Sequence, residues 1–451
     1  MNGKIKKIIP SGLKESCYSL EIELPEKKPS TEPESLNKLQ FHFCSELVNT
    51  LPQDVVYPFL QSMTFSHIKK GKRLITQGEK GDNFYLILKG TCIVNQEKND
   101  RLFEIDNPGP GDIVGEMALF DEERRSAHVY AETDMDLLSM EIDQFRTLSQ
   151  EYPELWNFIS EVIARRLISS KLIDDRKIGK YMITGKIAYG GSGLIFKGSH
   201  TLLDMPVAIK MLKHELAVIQ DFTEAFLNEA RTIAQLNHPN VIRVYDIEGL
   251  YQTIFIIMEY LDGVTLKNML KNNKLSLLKV LYITLQVCFG LEYAHKHGII
   301  HQDINPQNIF ITSDGQVKII DFGLACFRGC VDTNFFFPGT VFYISPEQIR
   351  GDPVDECTDI YSPGITVYEM LTGRVPFPGD EVRTVINAHL QENFPDTRTI
   401  IHDLPEELHN FLRRATQKET SARYQNISEI LAELLPLSER LGVKTQSGFC
   451  R

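Results

Sequence analysis

The feature that most constrains the fold is a fixed order of short polar motifs in the second half of the chain. An apolar stretch ends at Glu259 in IFIIMEYLDG, and HQDINPQN (301–308), DFG (321–323) and SPE (345–347) follow it. Each motif alone is short enough to occur by chance. Chance does not account for all of them in this order, so the sequence predicts that they belong to one fold and one site.

A glycine-rich turn precedes this series. Gly190, Gly191 and Gly193 follow Ile187 of a predicted strand, and strand alternation resumes at Ile195. Glycine lets the backbone turn tightly and approach a bound group closely. The segment therefore predicts a hairpin tip whose backbone could lie on phosphates, or an ordinary hairpin when it is taken alone.

A lysine follows in an apolar strand. Val207, Ala208 and Ile209 lead directly into Lys210. An ammonium group in such surroundings requires an anionic partner. Glu229, on the predicted helix FLNEARTIAQL, is the candidate.

Together these segments resemble the eukaryotic-type protein kinase fold over residues 181–440. Strand patterns to about Tyr260 and helical patterns to about Leu441 predict a small β lobe followed by a large helical lobe. The resemblance implies transfer of the γ-phosphate of ATP to protein hydroxyls. Thr340 in GTVFYISPE matches the threonine of Ser/Thr-directed kinases, so serine and threonine are the expected acceptors.

The resemblance also assigns roles to single residues. Asp303 would accept the hydrogen of the substrate hydroxyl. Asn308 and Asp321 would supply oxygens to Mg²⁺, with Mn²⁺ also possible. Lys210, aligned by Glu229, would hold the α- and β-phosphates. The residues assigned to the ATP site are Ile187, Gly190, Gly191, Gly193, Ile195, Ala208, Lys210, Glu229, Glu259 and Leu261.

Two further matches are structural. Asp359 in TDIYSPG would brace the catalytic loop, and Glu347 would pair with Arg423. Pro363, one residue that departs from the family pattern, is expected to require only a local adjustment of its helix.

Three other departures lie in functional segments. Ala188 replaces the first glycine of the glycine-rich loop, and Gln302 replaces an arginine that clamps a phosphorylated loop. Asn305 stands where the family carries a catalytic-loop lysine, which places it in the catalytic set with Asp303 and Lys210. A positive charge is thereby lost where negative charge moves. An active kinase and an inert, ATP-binding or signalling scaffold both stay open.

The first half has a different pattern. Short alternating strands separated by turn signals predict an all-β roll over about 40–150. Within it, GEMAL (115–119) is followed by RSA (125–127). A short helical turn at Glu116 would direct N–H groups at a phosphate, Arg125 would add a charged fork, and Glu116 could accept a ribose 2′-hydroxyl.

This stretch resembles the phosphate-binding cassette of cyclic-nucleotide-binding domains of the catabolite-activator type, over about 40–172. The resemblance implies a cyclic nucleotide as effector, with cAMP favoured over cGMP. The residues assigned to its site are Gly115, Glu116, Met117, Ala118, Arg125, Ser126 and Ala127. Arg124 and Arg125 also resemble a basophilic phosphorylation motif, but the cassette explains them better.

The two halves are joined by a predicted helix from Pro153 to about Lys171 and a connector, 173–180. Trp156, Ile159, Ile163 and Leu167 share one face of that helix. This face would pack on its own domain or form a dimer seam. We expect the helix to couple ligand binding to the small lobe of the kinase.

The remaining features limit the cellular context. Residues 1–38 contain PEKKPSTEPES and predict a linker without a fold, and 441–451 predict a tail. The net charge of −12 disfavours nucleic acid and anionic membranes as partners. Neither a signal peptide nor a membrane span is expected. Scattered cysteines favour the reducing cytoplasm.

The predicted fold class is a multidomain α+β protein, in which a β-roll is followed by a bilobal kinase.

Overall fold

A computed structural model describes the chain over most of its length. The described residues are 4–10, 17–23, 38–45, 48, 51–98, 101–119, 125–156, 158, 162, 164, 167–168, 176–189, 193–212, 220–250, 253–272, 275–322, 326–327 and 341–444. They divide into two compact units. The first comprises Met1–Thr223 with Ile247–Ile257, and the second comprises Glu224–Asp246 with Met258–Arg451.

The first unit begins with a three-stranded antiparallel sheet, ordered β1-β2-β3. Its strands are β1 (Lys4–Pro10), β2 (Cys17–Glu23) and β3 (Lys38–Cys44). Leu20 and Ile22 of β2 are buried. The prediction that residues 1–38 have no fold is therefore wrong for the two strands, because pairing with distant residues stabilises them. Residues 24–37, which include PEKKPSTEPES, lie outside the described part.

The predicted roll consists of two four-stranded sheets, ordered β5-β10-β7-β8 and β4-β11-β6-β9. Its strands are β4 (Thr64–Ile68), β5 (Arg73–Ile75), β6 (Asn83–Lys89), β7 (Cys92–Lys98), β8 (Arg101–Asp106), β9 (Ile113–Val114), β10 (His128–Ala131) and β11 (Met135–Glu141). Alternate residues such as Ile87, Val129 and Leu137 form an apolar cluster. The roll is not purely β, because helices α1 (Gln53–Gln61) and α2 (Ile142–Glu151) pack against it.

The predicted helix after Pro153 packs on its own domain. The described residues of 155–168 are helical, and Leu155, Phe158 and Leu167 are fully buried. The ring of Phe158 lies 5.4 Å from that of Phe59 in α1. Ile159, Ile163 and Lys171 lie outside the described residues, so a dimer seam stays a prediction.

The small lobe is built on a six-stranded sheet, ordered β12-β13-β14-β15-β17-β16. Its strands are β12 (Lys177–Ile178), β13 (Tyr181–Tyr189), β14 (Gly193–His200), β15 (Pro206–Leu212), β16 (Val244–Leu250) and β17 (Thr253–Glu259), and helix α3 (Gln220–Ala234) follows β15. Phe196, Ile209 and Phe255 belong to the same continuous apolar cluster as Phe84 and Leu138 of the roll. One face of the roll and the small-lobe sheet therefore share an apolar core, which is separate from the inner cluster of the roll.

The second unit is mainly helical, as expected for the large lobe. Its helices are α4 (Leu266–Asn272), α5 (Leu277–Lys296), α6 (Pro346–Arg350), α7 (Thr358–Thr372), α8 (Val382–Gln391), α9 (Glu406–Ala415) and α10 (Ile427–Arg440). Short strands form two small sheets, β18 (Gly263–Thr265), β20 (Ile309–Thr312) and β21 (Val317–Ile319), and β19 (Ile299–Ile300) with β22 (Cys326–Phe327). Helix α7 continues through Pro363, which agrees with the expected local adjustment.

Helix α5 is the core helix of this unit. Among the described residues it alone is long and apolar enough to cross a membrane, judged by length and composition. Its side chains Leu281, Leu285 and Leu291 are instead fully buried in the apolar cluster of the unit. Ser276 caps its first turn by accepting a hydrogen bond from the N–H of Lys279.

Candidate functional site: a braced catalytic loop and a phosphate cassette

The loop 301–308 is held in place by one buried carboxylate. Asp359, in the first turn of α7, accepts hydrogen bonds from the backbone N–H groups of His301 and Gln302, both at 2.7 Å. Its Oδ2 also lies 2.8 Å from Nε2 of His295. Burial acts to raise the pKa of Asp359, but His295 and His301 hold it below its usual value. The charged carboxylate thus fixes the loop, as predicted.

The braced loop presents Asp303 with both carboxylate oxygens engaged. Nδ2 of Asn305 donates to Oδ1 of Asp303 at 2.8 Å, and Nδ2 of Asn308 donates to Oδ2 at 2.8 Å. Asn308 also donates to the Asp303 carbonyl at 2.9 Å. The structure therefore brings the three predicted residues into one network. A carboxylate oxygen carries more than one acceptor site, so Asp303 keeps the capacity to accept a substrate proton.

Asn305 has an orienting role that the sequence alone did not reveal. Its Oδ1 accepts the N–H of Gln307 at 2.8 Å while its Nδ2 holds Asp303. The side chain is 5% exposed, so water competes little for these bonds. Asn305 thus positions the acid but supplies no positive charge.

Asp321 begins the second polar loop of the site. Its φ of 62° lies in the left-handed region, which non-glycine residues seldom adopt. The next residue, Phe322, is fully buried, and its ring lies 4.5 Å from that of His301. Burial lowers the pKa of His301 below its usual value. A neutral His301 of the first loop therefore packs against Phe322 of the second. Gly323 lies outside the described residues.

Asn308 and Asp321 fit a hard divalent cation. Nδ2 of Asn308 is committed to Asp303, so Oδ1 is the atom it can offer to a metal. Among the residues that the structure describes, no group of three or more His, Cys, Asp or Glu side chains could form a metal cage by itself. Mg²⁺ commonly takes one or two protein oxygens together with substrate phosphates and water. The donor set agrees with that mode.

The predicted phosphate-facing residues of the small lobe lie on neighbouring strands. Lys210 of β15 is 5% exposed and pairs in register with Ile195 of β14. Gly193 lies so close to the carbonyl of Met211 that a Cβ would collide with it, which explains this glycine. Ala208 is buried and Ile187 is exposed. Gly190, Gly191 and the side chain of Glu229 lie outside the described part, so the predicted ion pair of Lys210 with Glu229 stays a prediction.

The last residue of β17 makes a contact that sequence reasoning missed. The carboxylate of Glu259 accepts hydrogen bonds from Nζ of Lys318 and from the N–H of Arg243, both at 2.8 Å. The N–H of Glu259 donates to the carbonyl of Arg243 at 2.9 Å. These bonds fix the start of the segment that contains Leu261. Glu259 and Lys318 are 59 residues apart, so local sequence patterns could not reveal the ion pair.

The expected structural ion pair is present. Arg423 donates from Nη1 to Oε1 and from Nη2 to Oε2 of Glu347, each at 2.7 Å, and both side chains are buried. Burial acts to raise the pKa of Glu347, but Arg423 holds it below its usual value.

In the first unit, the cassette is closed by Arg125. Its Nη1 donates to the carbonyl of Gly115 at 2.8 Å and its Nη2 to that of Asn83 at 2.6 Å. Gly115 has a φ of +78° and touches Nη1, so a side chain there would be both strained and obstructed. The predicted helical turn is a 3-10 turn, Glu116–Leu119.

The cassette places a guanidinium among carboxylates. Burial lowers the pKa of Arg125, while Glu116, Asp82 and Glu79 favour its charged form. Ser126 is exposed and Ala127 is buried. A turn with N–H groups, a cation and an acceptor are therefore adjacent, as a cyclic phosphate and a ribose hydroxyl require. The side chains of Met117 and Ala118, and all of Arg124, lie outside the described residues.

Comparisons with known proteins identify the two domains. The family model for the protein kinase domain matches residues 181–435, and the model for the cyclic nucleotide-binding domain matches residues 65–152. A probable serine/threonine-protein kinase of Clostridium acetobutylicum is 38% identical over 258 residues, covering 56% of this chain and 39% of that protein. The kinase PrkC of Bacillus subtilis is 34% identical over 267 residues, covering 58% and 41%.

Another relative is matched over more of its length. The serine/threonine-protein kinase PknL of Mycobacterium tuberculosis is 33% identical over 286 residues, covering 63% of this chain and 71% of PknL. The chain spans about two fifths of the first two relatives. The kinase match itself covers more than half of the chain. The chain therefore belongs to the protein kinase family and carries a cyclic nucleotide-binding domain ahead of its kinase domain.

Proposed function

We propose that this chain transfers the γ-phosphoryl group of ATP to serine and threonine hydroxyls of protein substrates, and that a cyclic nucleotide controls the transfer. The observation that carries the proposal is the network of Asp303, Asn305 and Asn308 on a loop braced by Asp359. Buried networks of this kind are costly unless every member is satisfied. A catalytic carboxylate held by two amides and a buried brace is what positioning of a hydroxyl requires.

The residues divide the chemistry between them. Asp303 orients the acceptor hydroxyl and takes its proton. Asn308 and Asp321 hold the metal, and Lys210 holds the phosphates. Mg–ATP, when bound, supplies the transferable phosphoryl group. The serine and threonine preference is supported by the names of the bacterial relatives.

The effector site is the cassette around Arg125. We favour cAMP over cGMP, a preference that rests on the likeness to the catabolite-activator type of sensor. Binding would replace the carbonyl partners of Arg125 by a charged phosphate, which is the stronger partner. The shared core of roll and small-lobe sheet supports transmission of this change to the kinase.

One observation favours a second candidate, an inert kinase fold that serves as a nucleotide-sensing scaffold. Asn305 brings no positive charge to the loop and instead occupies Oδ1 of Asp303. Charge stabilisation of the moving phosphoryl group would then be weaker.

The test is transfer of labelled γ-phosphate from Mg–ATP to the chain itself and to a generic Ser/Thr protein substrate, with and without cAMP or cGMP. Asp303→Asn is the blank. Arg125→Ala removes the cassette cation, and Arg101→Ala, an exposed arginine of the same domain, is its matched control. We expect transfer above the blank that changes with nucleotide in the wild type and in Arg101→Ala only.

Two outcomes contradict the proposal in different ways. Signal equal to that of Asp303→Asn under every condition would favour the scaffold. Transfer that responds to nucleotide equally in Arg125→Ala would refute control through the cassette.

A further inference from the structure

One polar side chain projects onto the apolar inner face of the roll beside the cassette. Val94 of β7 pairs with Val129 of β10, and both belong to the apolar cluster of the roll. Gln96 follows two residues later on β7, so strand alternation places it on the same face. The register, extended by two residues, sets Gln96 opposite Ala127 of the cassette.

The hydrogen bonding of Gln96 is incomplete on this face. Its Nε2 donates to the carbonyl of Ser126 at 3.4 Å. A carbonyl oxygen can only accept a hydrogen bond, so the amide atom of Gln96 that faces Ser126 is the nitrogen, Nε2. The other amide atom is the oxygen, Oε1. Oε1 is buried and has no hydrogen-bond partner among the residues that the structure describes. Buried acceptors in folded proteins are nearly always paired, so this oxygen calls for a donor.

The chemistry of a cyclic nucleotide limits what that donor is. Its phosphate diester carries no N–H or O–H group, and its ribose 2′-hydroxyl is the group assigned to Glu116. The remaining donors are the N–H groups of the purine edge, the amino group of adenine or the amino and imino groups of guanine. We propose that Gln96 is a specificity-determining residue whose Oε1 accepts a hydrogen bond from an N–H group of the purine. This inference rests on the proposed cyclic-nucleotide binding.

The test compares ligands that differ in that group. The full chain is titrated calorimetrically with cAMP, with cGMP and with purine riboside 3′,5′-cyclic monophosphate, whose base has no N–H. We expect one amino-bearing nucleotide to bind about tenfold more tightly than the purine analogue, as one buried hydrogen bond allows. A preference confined to cAMP identifies the adenine amino group, and one confined to cGMP identifies guanine.

Two variants at position 96 separate a contact to the base from a structural bond. Gln96→Met keeps the length of the side chain but removes the acceptor, so it should abolish the preference and leave affinity for the purine analogue unchanged. Gln96→Glu keeps an acceptor but loses the donor to Ser126, so the affinity ratio should persist. Asn95→Ala, on the opposite face of β7, is the control.

Failure of this inference differs from failure of the proposed sensor. Equal weakening of all three ligands in Gln96→Met, or an unchanged preference, overturns the role of Gln96 while nucleotide binding stands. Absence of binding of every ligand to the wild type overturns the sensor and, with it, this role.

Discussion

Asn305 stands where the protein kinase family carries a lysine, and it ties the loop 301–308 together by hydrogen bonds instead of bringing a charge to it. The amide uses its donor on Asp303 and its acceptor on the N–H of Gln307. A lysine at this position would bring a positive charge, but it could not accept the hydrogen bond from Gln307. In the proposed kinase reaction, this loop would position Asp303 without a positive charge at residue 305, and mutation can separate these two effects.

We expect Asn305→Ala to lower kcat about tenfold with an unchanged KM for ATP, because Asp303 loses one of its two amide donors. Asn305→Lys should match or exceed wild-type kcat, since it restores the charge. Steady-state kinetics with Mg–ATP measure both. Gln307→Ala, whose exposed side chain makes none of these bonds, is the control. Wild-type kcat in Asn305→Ala would contradict the orienting role.

The buried pair of Glu347 and Arg423 gives a prediction for pH. The pKa of Glu347 lies below its usual value in the folded state, so its contribution to stability is present above the unfolded pKa of about 4.3 and is lost as pH falls through the folded pKa. Glu347→Gln leaves the Arg423 charge unpaired and should cost about 3–5 kcal/mol at neutral pH.

Urea unfolding between neutral and acid pH measures both effects. The wild type should lose more stability than Glu347→Gln below about pH 4.3. The double variant Glu347→Gln with Arg423→Met, which removes the unpaired charge, should recover part of the loss at neutral pH. Parallel pH profiles for wild type and Glu347→Gln would count against the ion pair.

For most helices and strands, the local residue pattern was sufficient to predict the type of element. The strand alternation of β6, the antiparallel pairing of β13 with β14 and the helical character of the second unit agree with the structure. The N-terminal strands are the exception. Charged residues and the neighbouring Pro-, Ser- and Glu-rich run dominate the local composition, whereas β2 is held by its partners in β1 and β3. Such pairing across a long loop is not readable from local sequence.

The contribution of the N-terminal sheet to stability can be tested at Ile22 of β2, which is completely buried. Ile22→Ala should lower the free energy of unfolding of the first unit by about 2–5 kcal/mol through lost burial and a cavity. Thermal or urea unfolding measures it. Leu102→Ala, at a side chain that is 58% exposed, should change little. Equal stability of the Ile22→Ala and wild-type chains would restore the view of residues 1–38 as a linker.

At the scale of the whole molecule, the domain division by sequence does not coincide with the compact units. The roll and most of the small-lobe sheet lie in one unit, and one face of the roll shares a continuous apolar core with that sheet. A ligand that binds the native roll stabilises the cooperative unit to which the roll belongs. The shared core therefore provides a physical route from the sensor to the strands that carry Lys210.

Hydrogen exchange would reveal this route. We expect a saturating cyclic nucleotide to slow amide exchange in β13, β14 and β15 as well as in the roll, because ligand at 100 times its Kd adds about 2.7 kcal/mol of stability. Arg125→Ala should abolish both effects. Protection confined to the roll would show that the shared core does not transmit binding.

The two families were recognisable in the sequence, because short contiguous motifs with chemically dictated residue types carry them. The motifs also grouped Asp303 with Asn308 and Arg125 with Gly115, and the structure brings both pairs into contact. The catalytic and ligand-binding roles of these residues stay predictions. The hydrogen bonds by which Asn305 orients Asp303, the contact of Lys318 with Glu259, the N-terminal sheet and the shared core became visible only in the folded structure. Each of these depends on which distant residues become neighbours and on how deeply they are buried. Chain order does not record those quantities, because they arise only when the long-range packing of the fold is complete.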